Sequence, residues 1–224
     1  NISMVISIDG PAASGKSTTA KLLANKLKFI HLNSGLLYRG ITYLFLKGNI
    51  ITLDEISIDN FFLKNEFNLS GKKLNKVIWN NQNISKYLFM ENINEAINDI
   101  SNNHLIRNYL IDKQRVLSFN KDIICEGRDI GTVVFPNADF KFYLIASIKS
   151  RALRRYSELK KNNKSITRNS VMLNLINRDK NDINRKYSPL RKADNAIEID
   201  TTDMSIREQM KMLYKQIKQG IIND

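Results

Sequence analysis

The sequence predicts an α/β domain: a central, mostly parallel sheet of five strands with helices on both faces, interrupted by a small antiparallel insertion. Three observations predict it. Short apolar runs rich in β-branched residues, at 4–8, 29–32, 122–126, 139–146 and 196–200, have the composition of buried parallel strands. Stretches with helical spacing separate them. Between about Phe61 and Met90 the pattern changes to short alternating pieces divided by Ser-Gly-Lys and Asn-Asn, as in antiparallel strands and turns. A chain of 224 residues suffices for one large domain with an insertion, and no linker or internal repeat divides it.

The elements follow in order. Met4–Ile8 (MVISI) is the first strand, and Gly15–Lys28 a helix with Ala20, Leu23, Ala24 and Leu27 on one face. Phe29–Leu32 is a second strand. Gly35–Leu46 resumes helical spacing through Leu37, Ile41, Leu44 and Phe45. The pieces EFNLS, KLNKVIW and QNISKYL form the small sheet, within about 65–90. Helices are expected at 91–102 and 105–118, and strands at DIICE (122–126) and DFKFYLIA (139–146). A helix from about Ile148 to Lys161 is broken by KKNNKS; Thr167 then caps another that reaches about Asp182. AIEID (196–200) is the last strand, and Ser205 with Glu208 forms a capping box opening the terminal helix.

Composition excludes several classes. No apolar run approaches the ~20 residues of a membrane span, and Asn1–Val5 lacks the charged-then-apolar order of a signal peptide. Cys125 is the single cysteine, so no internal disulfide forms and a reducing cytoplasm is expected. His31 and His104 are too few and too isolated for a zinc site. The net charge of +13 suits nucleic acid, an anionic membrane or small anionic substrates. Lysine, asparagine and isoleucine abound everywhere, so the clustered arginines are the more informative cations.

Gly10-Pro11-Ala12-Ala13-Ser14-Gly15-Lys16-Ser17 matches G-x-x-x-x-G-K-[ST] at every fixed position. Glycines let backbone N–H groups converge on phosphate oxygens, and the helix that follows presents its positive end. Lys16 is placed to reach the β- and γ-phosphates, and the Ser17 hydroxyl to face Mg²⁺. Such a pattern also arises by chance, but a buried strand before it and an amphipathic helix after it argue against that. The expected ligand is a nucleoside triphosphate.

The guanine-reading N-K-x-D motif is missing where LIA (144–146) runs into Ser-Ile-Lys, and no long ATPase motif set is present. Arginines stand out instead: Arg39 in SGLLYR, Arg128 in EGRD beyond the end of a central strand, and Arg151, Arg154 and Arg155 on one helix. Arg178, Asp182 and Arg185 lie at i, i+4 and i+7 on another. Surface salt bridges account for each set singly, but only Glu158 is at hand to pair with the 151–155 cluster. Two polyanions brought within bonding distance need such a cluster.

With these residues assembled, the sequence resembles the bacterial cytidylate kinases, a branch of the P-loop nucleoside monophosphate kinases. The likeness covers nearly the whole chain, through IDGPAASGKSTTAK, NSGLLYRGIT, IRNYLIDKQR, ICEGRDIGTVVFPNADFKFYLIAS, RALRRYSEL and NRDKNDINRKYSPLRKADNAIEIDTT. EGRDIGTVVFP is its most specific run, and the region from about 48 to 95 its least. The resemblance implies a P-loop nucleotide kinase fold. The core would take residues 1–33 and 105–224, a monophosphate-binding region 34–104, and a helical lid about 149–168. It implies that Gly10 to Thr18 bind ATP phosphates, and that Ser34, Arg39 and Arg128 surround the CMP phosphate. Arg107, Asp129 and Arg185 would face the cytosine, Arg178 and Asp182 the ribose, and Arg154 and Arg155, with Arg151, would belong to the lid. Three positions depart from the usual family pattern: Asn33 in place of Asp, Asn98 where a base-contacting Ser is common, and Phe89 where Arg is frequent.

The cytosine assignment makes chemical sense on its own terms. A carboxylate accepts from the N4 amino group and an arginine donates to N3 and O2, whereas uracil would present O4 to the same carboxylate. The implied reaction is ATP with CMP or dCMP giving ADP with CDP or dCDP, with Mg²⁺ as cofactor, in a cytoplasmic monomer without nucleic-acid or membrane partners. A kinase for uridylate or a non-nucleotide acceptor is the rival within enzymes. A basic nucleic-acid-binding protein is the rival outside them, with no helix-turn-helix, zinc-finger or RNP signature in its favour. The lid arginines, set in Lys- and Asn-rich sequence, are expected to order only when phosphates arrive.

Overall fold

The computed structural model describes residues 3–48, 50, 54–71, 73–161 and 165–223. Five parallel strands form the central sheet: β1 (Val5–Asp9), β2 (Ile30–Asn33), β6 (Ile123–Gly127), β7 (Phe140–Ile145) and β8 (Ile197–Asp200), in spatial order β2-β6-β1-β7-β8. β1 lies between β6 and β7, pairing Ile6 with Ile124 on one side and with Phe140 on the other. Side chains alternate between the two faces, as strand geometry requires. Ile6, Ile8 and Ile124 point to one face, beneath α1 (Lys16–Leu27) and α8 (Ile206–Asn223), where Leu23, Leu213 and Ile217 are fully buried. Ile123 and Cys125 point to the other face, beneath α2 (Ser34–Lys47) and α5 (His104–Ser118), against Leu37, Ile41 and Leu110.

That second cluster continues without a break into the insertion, through Phe67, Val77 and Leu88. The insertion comprises α3 (Glu55–Lys64), a small antiparallel sheet β3 (Phe67–Ser70), β4 (Lys76–Trp79) and β5 (Gln82–Asn83), and α4 (Glu91–Asn102). Helices α6 (Ile148–Leu159) and α7 (Arg168–Asn184) pack on each other, and Ala152, Val171 and Leu175 meet Ala12 of the loop after β1. The KKNNKS breaker falls between them, and its residues 162–164 lie outside the described residues.

The expected fold class holds, with three local differences. α3 begins earlier than the expected small sheet and takes in Phe61. Asp54 caps it by accepting from the Ser57 backbone N–H at 2.9 Å, and Ile58 and Phe61 bury one turn apart against Phe45. The third small strand is only two residues long. After the Asn80-Asn81 hairpin, whose positive φ values (43° and 64°) suit a tight turn, Ser85–Tyr87 coil into a 3₁₀ turn. Beyond β6, Ile130–Val134 form a π turn, anchored where the Asp9 carboxylate accepts from the backbone N–H groups of Ile130 and Gly131 at 2.9 and 2.7 Å.

Candidate active site

The loop between β1 and α1 can turn closely because glycine stands at its two tightest points. A Cβ on Gly10 would sit 2.1 Å from the Leu144 carbonyl oxygen, and one on Gly15 2.5 Å from Gln209 Oε1; both residues have positive φ. Ala13 also takes a left-handed conformation, φ 60°. Thr201 Oγ1 donates to the Ser14 carbonyl at 2.9 Å, tying the loop to the end of β8. Lys16 is buried, and its Nζ donates to the Pro11 carbonyl at 2.8 Å. Burial, and then the charge of Arg128, push its ammonium down to about 7.

Beside it, Ser17 Oγ donates to Glu126 Oε2 at 2.7 Å, and His31 Nε2 lies 3.3 Å from Glu126 Oε1. Burial alone would raise the Glu126 carboxyl; the His31 and Ser17 hydrogen bonds and the Lys16 charge outweigh it and hold it below the ordinary range. Thr18, on the same helical turn, is exposed and lines the cleft. Asp9, one residue before the loop, is pushed by burial up to about 7, despite two backbone N–H donors.

Lys16, Ser17, Thr18 and Glu126 line a cleft of about 1010 Å³. Ser34, Arg39, Asn98, Arg107, Arg128, Asp129, Arg178, Asp182 and Arg185 line the same cleft. Arg107 is 1% exposed; Nη2 donates to Asp129 Oδ2 and Nη1 to the Ser101 carbonyl at 2.9 Å. Arg185 Nη2 lies 3.9 Å from Asp129 Oδ1, so the carboxylate sits between two guanidiniums. Arg107 Nε and Arg185 Nη2 are buried with no hydrogen-bond acceptor among the described residues. Arg128 Nε donates to Asp182 Oδ2 at 2.7 Å, and Arg185 Nη1 to Asp182 Oδ1 at 3.4 Å. Burial opposes ionisation of Asp182, but Arg128 leads the cations that hold its carboxyl below the usual value. Ser34 Oγ donates to the Glu126 carbonyl at 2.8 Å, fixing the start of α2 to β6. Arg39 and Arg178 are each pushed down to about 10, chiefly by burial and then by neighbouring guanidiniums.

The three arginines of α6 go to different places. Arg151 is buried and holds Asp179 at 2.6 Å and the Ala12 carbonyl at 3.3 Å, bracing the phosphate loop from outside. Arg155 lines the cleft and pairs with Glu158 at 3.0 Å. Arg154 turns away to the β8–α8 connection, donating to the carbonyls of Thr201, Thr202 and Met204. Gly10, Pro11 and Ser14 lie behind the cleft surface as parts of the loop's frame.

Sequence reasoning did not single out Glu126, Asp9, His31 or Asn94. Two of them had a visible signal: a carboxylate stands last in VISID and next to last in IICEG, two neighbouring central strands. His31 and Asn94 had none, since their partners are 95 and 55 residues away.

A family model described as cytidylate kinase matches residues 6–219. A cytidylate kinase of Fusobacterium nucleatum subsp. nucleatum is 41% identical over 216 residues, covering 96% of this chain and 97% of that one. One from Listeria innocua is 38% identical over 218 residues, covering 97% of each. One from Caldanaerobacter subterraneus subsp. tengcongensis is 38% identical over 220 residues, covering 98% of this chain and 97% of that one. With the match running almost end to end, and with the phosphate loop and the arginine-lined wall in one cleft, the chain belongs to the cytidylate kinase family.

Proposed function

We propose that this protein transfers the γ-phosphoryl group of ATP to CMP and dCMP, releasing ADP with CDP or dCDP. The observation that carries this reading is Asp129, held between Arg107 and Arg185 in the cleft that the phosphate loop also lines. Cytosine offers an amino group at N4 and acceptors at N3 and O2. Asp129 accepts the first, and the unpaired N–H groups of Arg107 and Arg185 serve the others. Uracil would set O4 against the carboxylate and an N3–H against an arginine.

In this reading residues 34–104 are the monophosphate-binding region and residues 1–33 and 105–224 the P-loop core, whose Arg107, Arg128, Asp129, Arg178, Asp182 and Arg185 also reach the acceptor. Arg39, Arg128 and Ser34 take the acceptor's phosphate; Arg178 and Asp182 take the sugar. Magnesium fits the oxygen donors beside the loop: the Ser17 hydroxyl, and Glu126, whose buried Oε1 has His31 Nε2 at 3.3 Å. When bound with ATP, Mg²⁺ neutralises charge on the β- and γ-phosphate oxygens.

The protein's own part is positioning and charge neutralisation. Lys16 regains its full charge against the triphosphate. The acceptor's phosphate oxygen, already anionic, forms the new P–O bond in line as the bond to the ADP oxygen breaks, so no general base is required. Arg155, on the segment from about 149 to 168, closes over both phosphates and excludes water, which suppresses idle hydrolysis of ATP. The partners are nucleotides and the site of action is the cytoplasm; no described helix is long and apolar enough to cross a membrane. Coupled ADP release with CMP, dCMP, UMP, AMP and shikimate offered in parallel tests the reading. CMP and dCMP should lead, and faster turnover of any of the other three overturns it.

A further inference from the structure

We infer that Phe89 is a positioning residue for the acceptor phosphate, its ring capping the guanidinium face of Arg39 while Asn94 holds one edge. The Arg39 guanidinium carbon lies 5.0 Å from the centre of the Phe89 ring. Arg39 Nη1 donates to Asn94 Oδ1 at 2.9 Å and to the Leu88 carbonyl at 3.0 Å. Asn94 is itself steadied, its Nδ2 donating to the Met90 carbonyl at 3.2 Å. Both hydrogen bonds that Arg39 makes among the described residues run through Nη1, so Nε and Nη2 remain for a phosphate.

Phe89 is 65% exposed, although the Leu88 beside it is fully buried, and Phe89 lines the cleft. A phenyl ring so exposed adds little to the core, and its position over a cation is what it offers. Arg39 needs such a mount. Arg155 and Arg128 lie close enough to disfavour its charge, and burial works in the same direction. The negative face of the ring offsets part of that repulsion and limits the guanidinium to one plane. This inference rests on the reading of Arg39 as a contact of the acceptor phosphate.

Calorimetry of CMP and of a non-hydrolysable ATP analogue, on wild type, Phe89→Ala, Phe89→Leu, Phe89→Trp, Arg39→Ala and the double variant Phe89→Ala/Arg39→Ala, decides the matter. Phe89→Ala should weaken CMP about two- to fivefold, the scale of an exposed cation–π contact, and affect the ATP analogue less. Leucine, similar in bulk but without a ring face, should behave as alanine, and tryptophan should restore binding. In the Arg39→Ala background, loss of Phe89 should have almost no further effect, because the ring acts through the arginine. Additive losses, full binding by the leucine variant, or equal weakening of both ligands would overturn the inference. If Arg39→Ala binds CMP normally, the placement of Arg39 at the phosphate falls, and this inference with it. If Arg39→Ala weakens CMP but Phe89→Ala does not, only the inference falls.

Discussion

Arg107 and Asp129 meet inside the cleft wall with 1% and 3% of their surfaces exposed, Nη2 of the one donating to Oδ2 of the other. They come from α5 and from the turn just beyond β6, 22 residues apart in the chain. A buried pair of this kind adds little net stability, since each charge was better solvated in water. Its value lies in holding a carboxylate at one spot.

Replacing that carboxylate should therefore change selectivity before anything else. Asp129→Asn keeps the shape, and its amide can donate to O4 of uracil. The CMP-to-UMP ratio of kcat/KM should fall about tenfold or more. Asp129→Ala also leaves the buried Arg107 charge uncompensated and should destabilise the fold by about 3–5 kcal/mol. A merely structural carboxylate would lower the melting temperature in both variants and leave the ratio unchanged. Parallel kinetics on the two acceptors with a melting curve for each variant separates these outcomes.

Lys16→Ala should lower phosphoryl transfer by about 10²-fold or more and leave the protein folded. The lysine is buried, but among the described residues its ammonium makes one hydrogen bond, to the Pro11 carbonyl, and it carries a desolvation cost that the variant removes. Near-normal turnover would contradict the assignment of the loop to the triphosphate.

Asp9 gives a pH dependence with a definite sign. Its carboxyl is pushed by burial up to about 7, from the 3.8 of an exposed group. Between those values the native state keeps a proton that the unfolded chain has released, so this group's contribution to stability falls as pH rises through the window. Asp9→Asn has no such proton to lose. Its melting temperature relative to wild type should climb from pH 5 to pH 8. A constant difference would mean that the N–H donors of Ile130 and Gly131 keep Asp9 ionised throughout.

The end of α6 should respond to ligands. Arg155 has only Glu158 as a described ion-pair partner, and Arg39 and Arg178 carry like charge nearby. Amides near 154–159 should exchange quickly in the free protein and slow clearly with a bisubstrate analogue. Equal protection in both states would mean that this helix is already closed, and the account of water exclusion would have to be abandoned.

The chain sequence determined the architecture by itself, because strands, helices and caps are local matters. MVISI and DIICE read as buried strands from their composition, and Ser205 with Glu208 reads as a cap from spacing; the structure shows both. The glycine-rich loop was legible for the same reason, since what it needs from the chain is a strand, a few glycines and a helix in succession. The 3₁₀ turn at Ser85–Tyr87 and helix α3 were not. Their residues fit either period over so short a run; the Phe45–Phe61 ring contact and the Val77 N–H donated to Ser85 Oγ chose between them.

Only the tertiary structure decided who partners whom. Spacing placed Arg151, Arg154 and Arg155 on one helix but could not show one bracing the loop, one bonded to the β8–α8 connection and one in the cleft. Nor could it pair Arg128 with Asp182 across 54 residues, Ser17 with Glu126 across 109, or Arg39 with Asn94 across 55. Periodicity is set within a turn or two of chain. The direction of a charged side chain is set by the desolvated surroundings it ends in, and those are assembled from segments that meet only when the sheet and its two helical layers have closed.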